Sequence, residues 1–154
     1  MKNNKQYLLL QQSDNKLAAF SDMKVIVVPP KGWVNTYRMA LKMSLRQLGN
    51  RLKISPQSTK EIEERETNGT ITLNSLRDVA NAMDMKLVYG FVSKHESLEE
   101  MIEKRAKELA TEIVMRTNHT MTLEGQQNST ERIVKAIAQK TDEIKREMPK
   151  YLWD

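Results

Sequence analysis

Apolar residues recur at helical spacing along most of the chain. Leu9, Leu10, Leu17 and Phe20 predict a helix over residues 5–20, weakened at its middle by Ser13-Asp14-Asn15. Val25-Ile26-Val27-Val28 is β-branched throughout and predicts a short strand. Pro29-Pro30-Lys31-Gly32 breaks the pattern and marks a boundary. A run of short helices is expected next. The first is supported by Trp33, Val34, Tyr37, Met39, Ala40 and Leu41. The second opens at Ser44, with Gln47 at the spacing of a capping box and Leu45, Leu48 and Leu52 inward. The third opens at Ser55-Pro56, a capping hydroxyl followed by proline at the first helical position. Thr59, Ile62 and Glu66 mark its stripe, and Thr67-Asn68-Gly69-Thr70 ends it. A fourth carries Leu73, Leu76, Val79, Ala80 and Met83. Residues 87–92 read as a second strand, which needs a partner. The Val25 segment is the expected one, in the same subunit or across a dimer.

Beyond residue 93 the pattern is helical again. Leu98, Met101, Ile102, Arg105, Ala106, Leu109, Ile113 and Val114 keep one face over five turns. Gly125 and Gln126-Gln127-Asn128 interrupt it. Ser129 or Thr130 can cap a last helix with Ile133, Val134, Ile137, Ile144 and Met148 on one side, and Pro149 stops it. Tyr151-Leu152-Trp153 is apolar enough to dock on these helices or on a partner. The expected fold is therefore mainly α: a helix-turn-helix bundle, a short β-strand pair and a C-terminal helical extension. Three parts are expected: residues 1–31 as an arm, 32–92 as the bundle and 93–154 as the tail.

Charge sharpens this division. The formal net charge of the 154 residues is +5. Residues 1–31 and 32–92 each carry +3, and the tail carries −1. A basic front suits a polyanionic partner. The chain has no cysteine, which removes disulfide frameworks and thiol chemistry and fits a reducing cytoplasm. The first thirty residues lack the layout of a signal peptide, and no apolar run approaches a membrane span. A cytoplasmic protein away from the membrane is expected.

Residues 43–63 hold the chemistry of the front half. Two helices joined by about three residues, with small Gly49 at their contact, present the N-terminal half of the second helix to a DNA major groove. Gln57 can read adenine through N6 and N7, and Glu61 can accept from cytosine N4. Arg46, Arg51, Ser55 and Lys60 suit phosphates, which position without specifying. Ser58 completes the polar surface of the exposed half. The Leu-Arg-Gln-Leu helix, the Ile54-Ser55 turn, the Ile62-Glu63 close and Thr72-Leu73-x-x-Leu76 resemble the Xre/Cro/C1-type helix-turn-helix family over about residues 33–84. Two positions depart from it. Lys53 stands where that family usually has glycine, and Thr59 where a buried valine or isoleucine is usual. The resemblance implies operator DNA as ligand and a homodimer matching a two-fold site.

The tail adds Thr120-Met121-Thr122-Leu123-Glu124-Gly125. Read plainly, this is a helix terminus with glycine at the stop position. Its surroundings suggest more. Several features occur in order along the chain: a basic arm, Pro-Pro-Lys-Gly-Trp, the helix-turn-helix, Arg65-Glu66-x-x-Gly69-x-Ile71-Thr72-Leu73, Leu87-Val88-Tyr89 and His119-Thr120-Met121-x-Leu123-Glu124-Gly125-Gln126. Together they resemble the bacterial mobile mystery protein A family, usually encoded beside a Fic-domain protein. The six-residue segment is similar to the inhibitory motif of antitoxins that silence Fic enzymes, which transfer AMP from ATP to hydroxyl side chains. The resemblance implies that Glu124 pairs with the arginine that otherwise holds the ATP γ-phosphate. Thr120 lies one turn earlier on the same face, and Gly125 leaves room for the enzyme's phosphate loop.

His95 and His119 are the only histidines, so no zinc quartet can be built. No phosphate-binding loop or catalytic triad is present. No cofactor and no enzymatic activity are expected. The expectation is an antitoxin and transcriptional autorepressor. Its rival is a stand-alone Xre-family repressor whose tail is only a dimerisation bundle.

Overall fold

The computed structural model describes residues 2–123 and 129–154. Among them lie seven α-helices: α1 (Lys2–Ala18), α2 (Gly32–Ala40), α3 (Leu45–Leu52), α4 (Pro56–Asn68), α5 (Leu73–Ala82), α6 (Leu98–Leu123) and α7 (Thr130–Glu147). Short 3-10 turns occupy Ser21–Val25 and Lys150–Trp153. The chain forms two compact units, one of Val25–Gly90 and the other of Met1–Lys24 with Phe91–Asp154. No helix among the described residues is long and apolar enough to cross a membrane.

In the Val25–Gly90 unit, α2 to α5 close around Val34, Leu48, Ile62, Val79 and Met83. Met43, Leu52, Ile54, Ile71 and Leu76 complete that core. Local capping sets the helix starts. Ser44 accepts from Gln47 N at 3.1 Å while the Gln47 amide oxygen accepts from Ser44 N at 2.8 Å, the reciprocal box expected from their spacing. Ser55 and Thr72 accept from the backbone N–H three residues on, Ser58 and Ser75, and so start α4 and α5. Gly69, at φ 75°, closes α4 in the left-handed region where a side chain is strained.

The helix α2 starts by a longer route. It has no capping side chain of its own. The Glu66 carboxylate, from α4, accepts from Trp33 N at 2.7 Å and Val34 N at 2.9 Å. A negative charge there also suits the positive end of the helix dipole. Gly32 makes this possible, since a Cβ at its φ of 83° would lie 2.7 Å from the Glu66 carboxyl carbon.

The expected strand pair is absent: no strand occurs among the described residues. Val25 closes a 3-10 turn, and residues 26–28 and 86–92 belong to neither helix nor sheet. β-branched content reports a fit to a pleated, half-buried surface rather than an intrinsic backbone preference. Val25 and Val27, each 84% exposed, have no such surface beneath them.

In the other unit α6 and α7 pack along each other. Ile102, Ala106 and Ala110 of α6 meet Ile144 of α7 and Leu152 beyond it. The two alanines are fully buried, and their small side chains let the helices approach closely. Leu152 docks as its apolar neighbourhood suggests, and the Arg105 guanidinium donates to the carbonyls of Leu152 and Asp154, each at 2.7 Å. Ser129 caps α7 through Arg132 N. Met148 turns left-handed ahead of Pro149, which ends the helix. Against α6 lies α1, continuous through Ser13-Asp14-Asn15. The residue expected to weaken α1 has a second use: the Asp14 carboxylate accepts from Leu98 N at 2.6 Å and caps α6.

Candidate nucleic-acid interface

Three residues, Lys53-Ile54-Ser55, separate α3 from α4. Lys53 adopts φ 61°, ψ 39° at the end of α3, and Ile54 N donates to Gly49 O at 2.9 Å. This left-handed turn reverses the chain at once and folds α4 onto α3. Gly49 is where they touch. A Cβ there would come within 2.8 Å of both Ile54 O and Thr59 Oγ1. Thr59 is fully buried, and its hydroxyl donates to Ser55 O at 3.0 Å. The threonine thus fills the volume of a valine and satisfies its polar atom locally, so a hydroxyl is accommodated in this buried position.

The Lys53 departure carries strain. A non-glycine residue in the left-handed region costs about 1–2 kcal/mol. Glycine returns part of that as extra freedom in the unfolded chain. Lys53→Gly is expected to raise stability by about 0.5–1 kcal/mol. Urea unfolding followed by circular dichroism checks this, and a loss of stability would contradict it.

A buried ionic cluster fixes α4 against α2. Arg38 Nε donates to Glu63 Oε1 at 2.5 Å and Nη2 to Oε2 at 3.3 Å. Asn35 donates to Glu63 Oε2 at 2.9 Å, and Arg38 Nη1 to Met43 O at 2.9 Å. Both charged side chains are nearly enclosed. Sequence spacing marked Glu66 as part of the buried stripe but did not show its capping role, and it gave no sign of the Arg38–Glu63 pair. Both depend on residues of α2 and α4 far apart in the chain.

With Thr59, Ile62 and Glu63 turned inward, Gln57, Lys60, Glu61 and Glu64 form the exposed stripe of α4. Gln57 and Glu61 are both exposed, lie one turn apart and make no side-chain hydrogen bond among the described residues, so their polar groups are left to solvent. Lys60 lies 3.9 Å from Glu64 in an exposed pair, which is worth little. Ser55 and Ser58 are adjacent, but their hydroxyls bond each other at 3.0 Å and Ser58 is half-buried. Arg46 is exposed on α3. Arg51 is also exposed, yet its Nη1 donates to Ala82 O at the end of α5. The exposed charges of α4 cancel, Lys60 and Arg65 against Glu61 and Glu64. The helix therefore offers polar recognition rather than a positive field.

Of the tail motif, Thr120 is exposed near the end of α6, its hydroxyl donating to Arg116 O at 3.2 Å. Glu124 and Gly125 lie outside the described residues. Comparison with family models, with curated proteins and with solved structures gives no match.

Proposed function

We propose that this chain is a DNA-binding regulator of the Xre/Cro/C1 type that also serves as antitoxin to a Fic AMP-transferase. One observation supports the DNA reading above others: a three-residue turn carries α3 into α4, whose outer stripe presents Gln57 and Glu61 one turn apart. Two side chains at that spacing on a groove-sized helix can meet base edges from a single docking pose. The buried Arg38–Glu63 pair and the Glu66 cap serve this arrangement by holding α4 rigid. The protein acts on its own operator as a homodimer. The antitoxin half of the reading rests on the sequence of Thr120, Glu124 and Gly125 and on the order of motifs along the chain.

Titration of the chain against DNA from upstream of its own gene tests the DNA reading. Gln57→Ala is expected to cost about 1–3 kcal/mol on the preferred sequence and nothing once its base pair is changed. Equal loss on every sequence would reduce Gln57 to a backbone contact. Absence of sequence preference in the unaltered chain would overturn the reading.

A further inference from the structure

The exposed charges of α4 cancel, but those ahead of it do not. Between Asp22 and Glu61 the chain holds no acidic residue. Lys42, Arg46, Arg51, Lys53 and Lys60 fall on α3, on the turns at its two ends and on the first half of α4. Arg51 donates to Ala82 O, and Lys60 lies near Glu64. Lys42, Arg46 and Lys53 are exposed, and among the described residues their side chains have neither an acceptor nor an acidic partner. Two of these three also hold a backbone conformation that costs stability. Lys53 is at φ 61° at the end of α3, and Lys42 is at φ 51° in the turn that leads into α3. Such positions favour glycine. Among the described residues Asp84 and Met148 share this region, and each has a reason within the chain. Asp84 is of a type that tolerates it, and Met148 packs against the core of its own unit. Neither lysine has such a reason. A strained residue persists where its side chain serves a purpose, and here nothing in the chain receives it.

We propose that Lys42 and Lys53 each bind a phosphate of the DNA backbone, one at either end of α3. The inference rests on the DNA reading and assigns two further contacts to it. The eight residues of α3 span about 12 Å, close to the width of a major groove. A helix of that length, crossing over the helix that enters the groove, can carry its two ends to the two rims. An ammonium is a compact charge on a flexible stem, suited to a phosphate that it need not meet at one fixed angle. Stability is thus given up at two turns for charge where the backbone of the duplex passes. Sequence is read elsewhere, by α4.

The test is binding of the full chain to two duplexes, one from upstream of its own gene and one of scrambled sequence, over about 50 to 200 mM salt. The variants are Lys42→Gly, Lys53→Gly, Lys42→Asn and Lys53→Asn. Asparagine also tolerates the left-handed region, and it removes the charge without adding the freedom of glycine. Each single variant is expected to lower the slope of log affinity against log salt by about 0.9 and to weaken binding roughly eightfold at about 0.1 M salt, on both duplexes. The double variants are expected to lose about twice that slope. Urea unfolding is expected to show the glycine variants at least as stable as the unaltered chain, so weaker binding cannot come from a damaged fold. A full slope retained by the glycine and asparagine variants would overturn the proposal, while a sequence preference in the unaltered chain would leave the DNA reading standing. Weakening on the upstream duplex alone would also overturn it, because a phosphate contact does not discriminate between sequences. An unaltered chain that binds neither duplex would remove both readings.

Discussion

Glu63→Ala is expected to destabilise the Val25–Gly90 unit by about 3–5 kcal/mol, the range for removing one partner of a buried ion pair. The size follows from what is left behind. The Arg38 side chain is 9% exposed, and among the described residues its guanidinium would keep only the Met43 carbonyl and the weakly accepting Met39 sulfur. Asn35 would lose its acceptor as well. The cost is the enclosed, uncompensated charge rather than the net worth of the pair. The double variant Arg38→Leu with Glu63→Leu is therefore expected to be more stable than Glu63→Ala alone, since no charge remains to be solvated. The measurement is urea unfolding followed by Trp33 fluorescence in a Trp153→Phe background. Trp33 reports on α2, and Trp153 belongs to the other unit. A loss under about 1 kcal/mol would show that the pair behaves as a surface one. Operator affinity should fall with the unit's stability at raised temperature, because this contact sets the angle at which α4 is held.

What could be read from the sequence divides by the range of the interaction. The starts of α3 and α4 were legible because Ser44 and Ser55 each satisfy a donor within three residues. That of α7 was legible to within one residue, Ser129 or Thr130, of which Ser129 is the cap. The Thr72 cap of α5 works in the same way but was not singled out as one. Four residues of sequence then contain the whole interaction. Gly49 was legible for a related reason, because a three-residue turn brings the next helix back onto it. Asp14 was misjudged by the same local logic. In a helix interior it is a poor choice, and its reward, the start of α6, lies 84 residues away. Glu66 and the Arg38–Glu63 pair were hidden for the same reason. The strand pair failed differently. Val25 to Val28 has the side chains of a strand, but a strand needs a surface and a partner, and sequence composition supplies neither. In the candidate interface, periodicity placed Gln57 and Glu61 on the outer stripe. It could not show that the Ser55 and Ser58 hydroxyls bond each other, or that Arg51 turns to the end of α5. Those three positions weigh less in the proposed interface than Gln57, Glu61 and Arg46.

The antitoxin reading predicts the largest functional effect. Glu124→Gly is expected to release AMP transfer by the Fic protein encoded beside this chain. A carboxylate and a phosphate compete for the same guanidinium fork, and such paired bonds are among the strong ones in proteins. Truncating one member of an enclosed, hydrogen-bonded charge pair between two proteins costs about 2–5 kcal/mol. That corresponds to roughly thirtyfold to a few thousandfold in the inhibitory contact. Glu124→Gln keeps the shape and one acceptor but loses the charge, so its effect should fall between the native residue and glycine. Thr120→Ala should do less, because the Thr120 hydroxyl already has an acceptor in Arg116 O and is proposed only to orient the element. The assay is AMP transfer to a protein hydroxyl, measured with the partner alone and with each variant of this chain. Operator binding measured on the same variants separates the rival reading. A tail that served only to hold a dimer together would lose DNA affinity when damaged and would never affect AMP transfer. Full inhibition retained by Glu124→Gly would overturn the assignment of Glu124 while leaving the DNA interface as proposed, because the two proposed activities draw on separate residues.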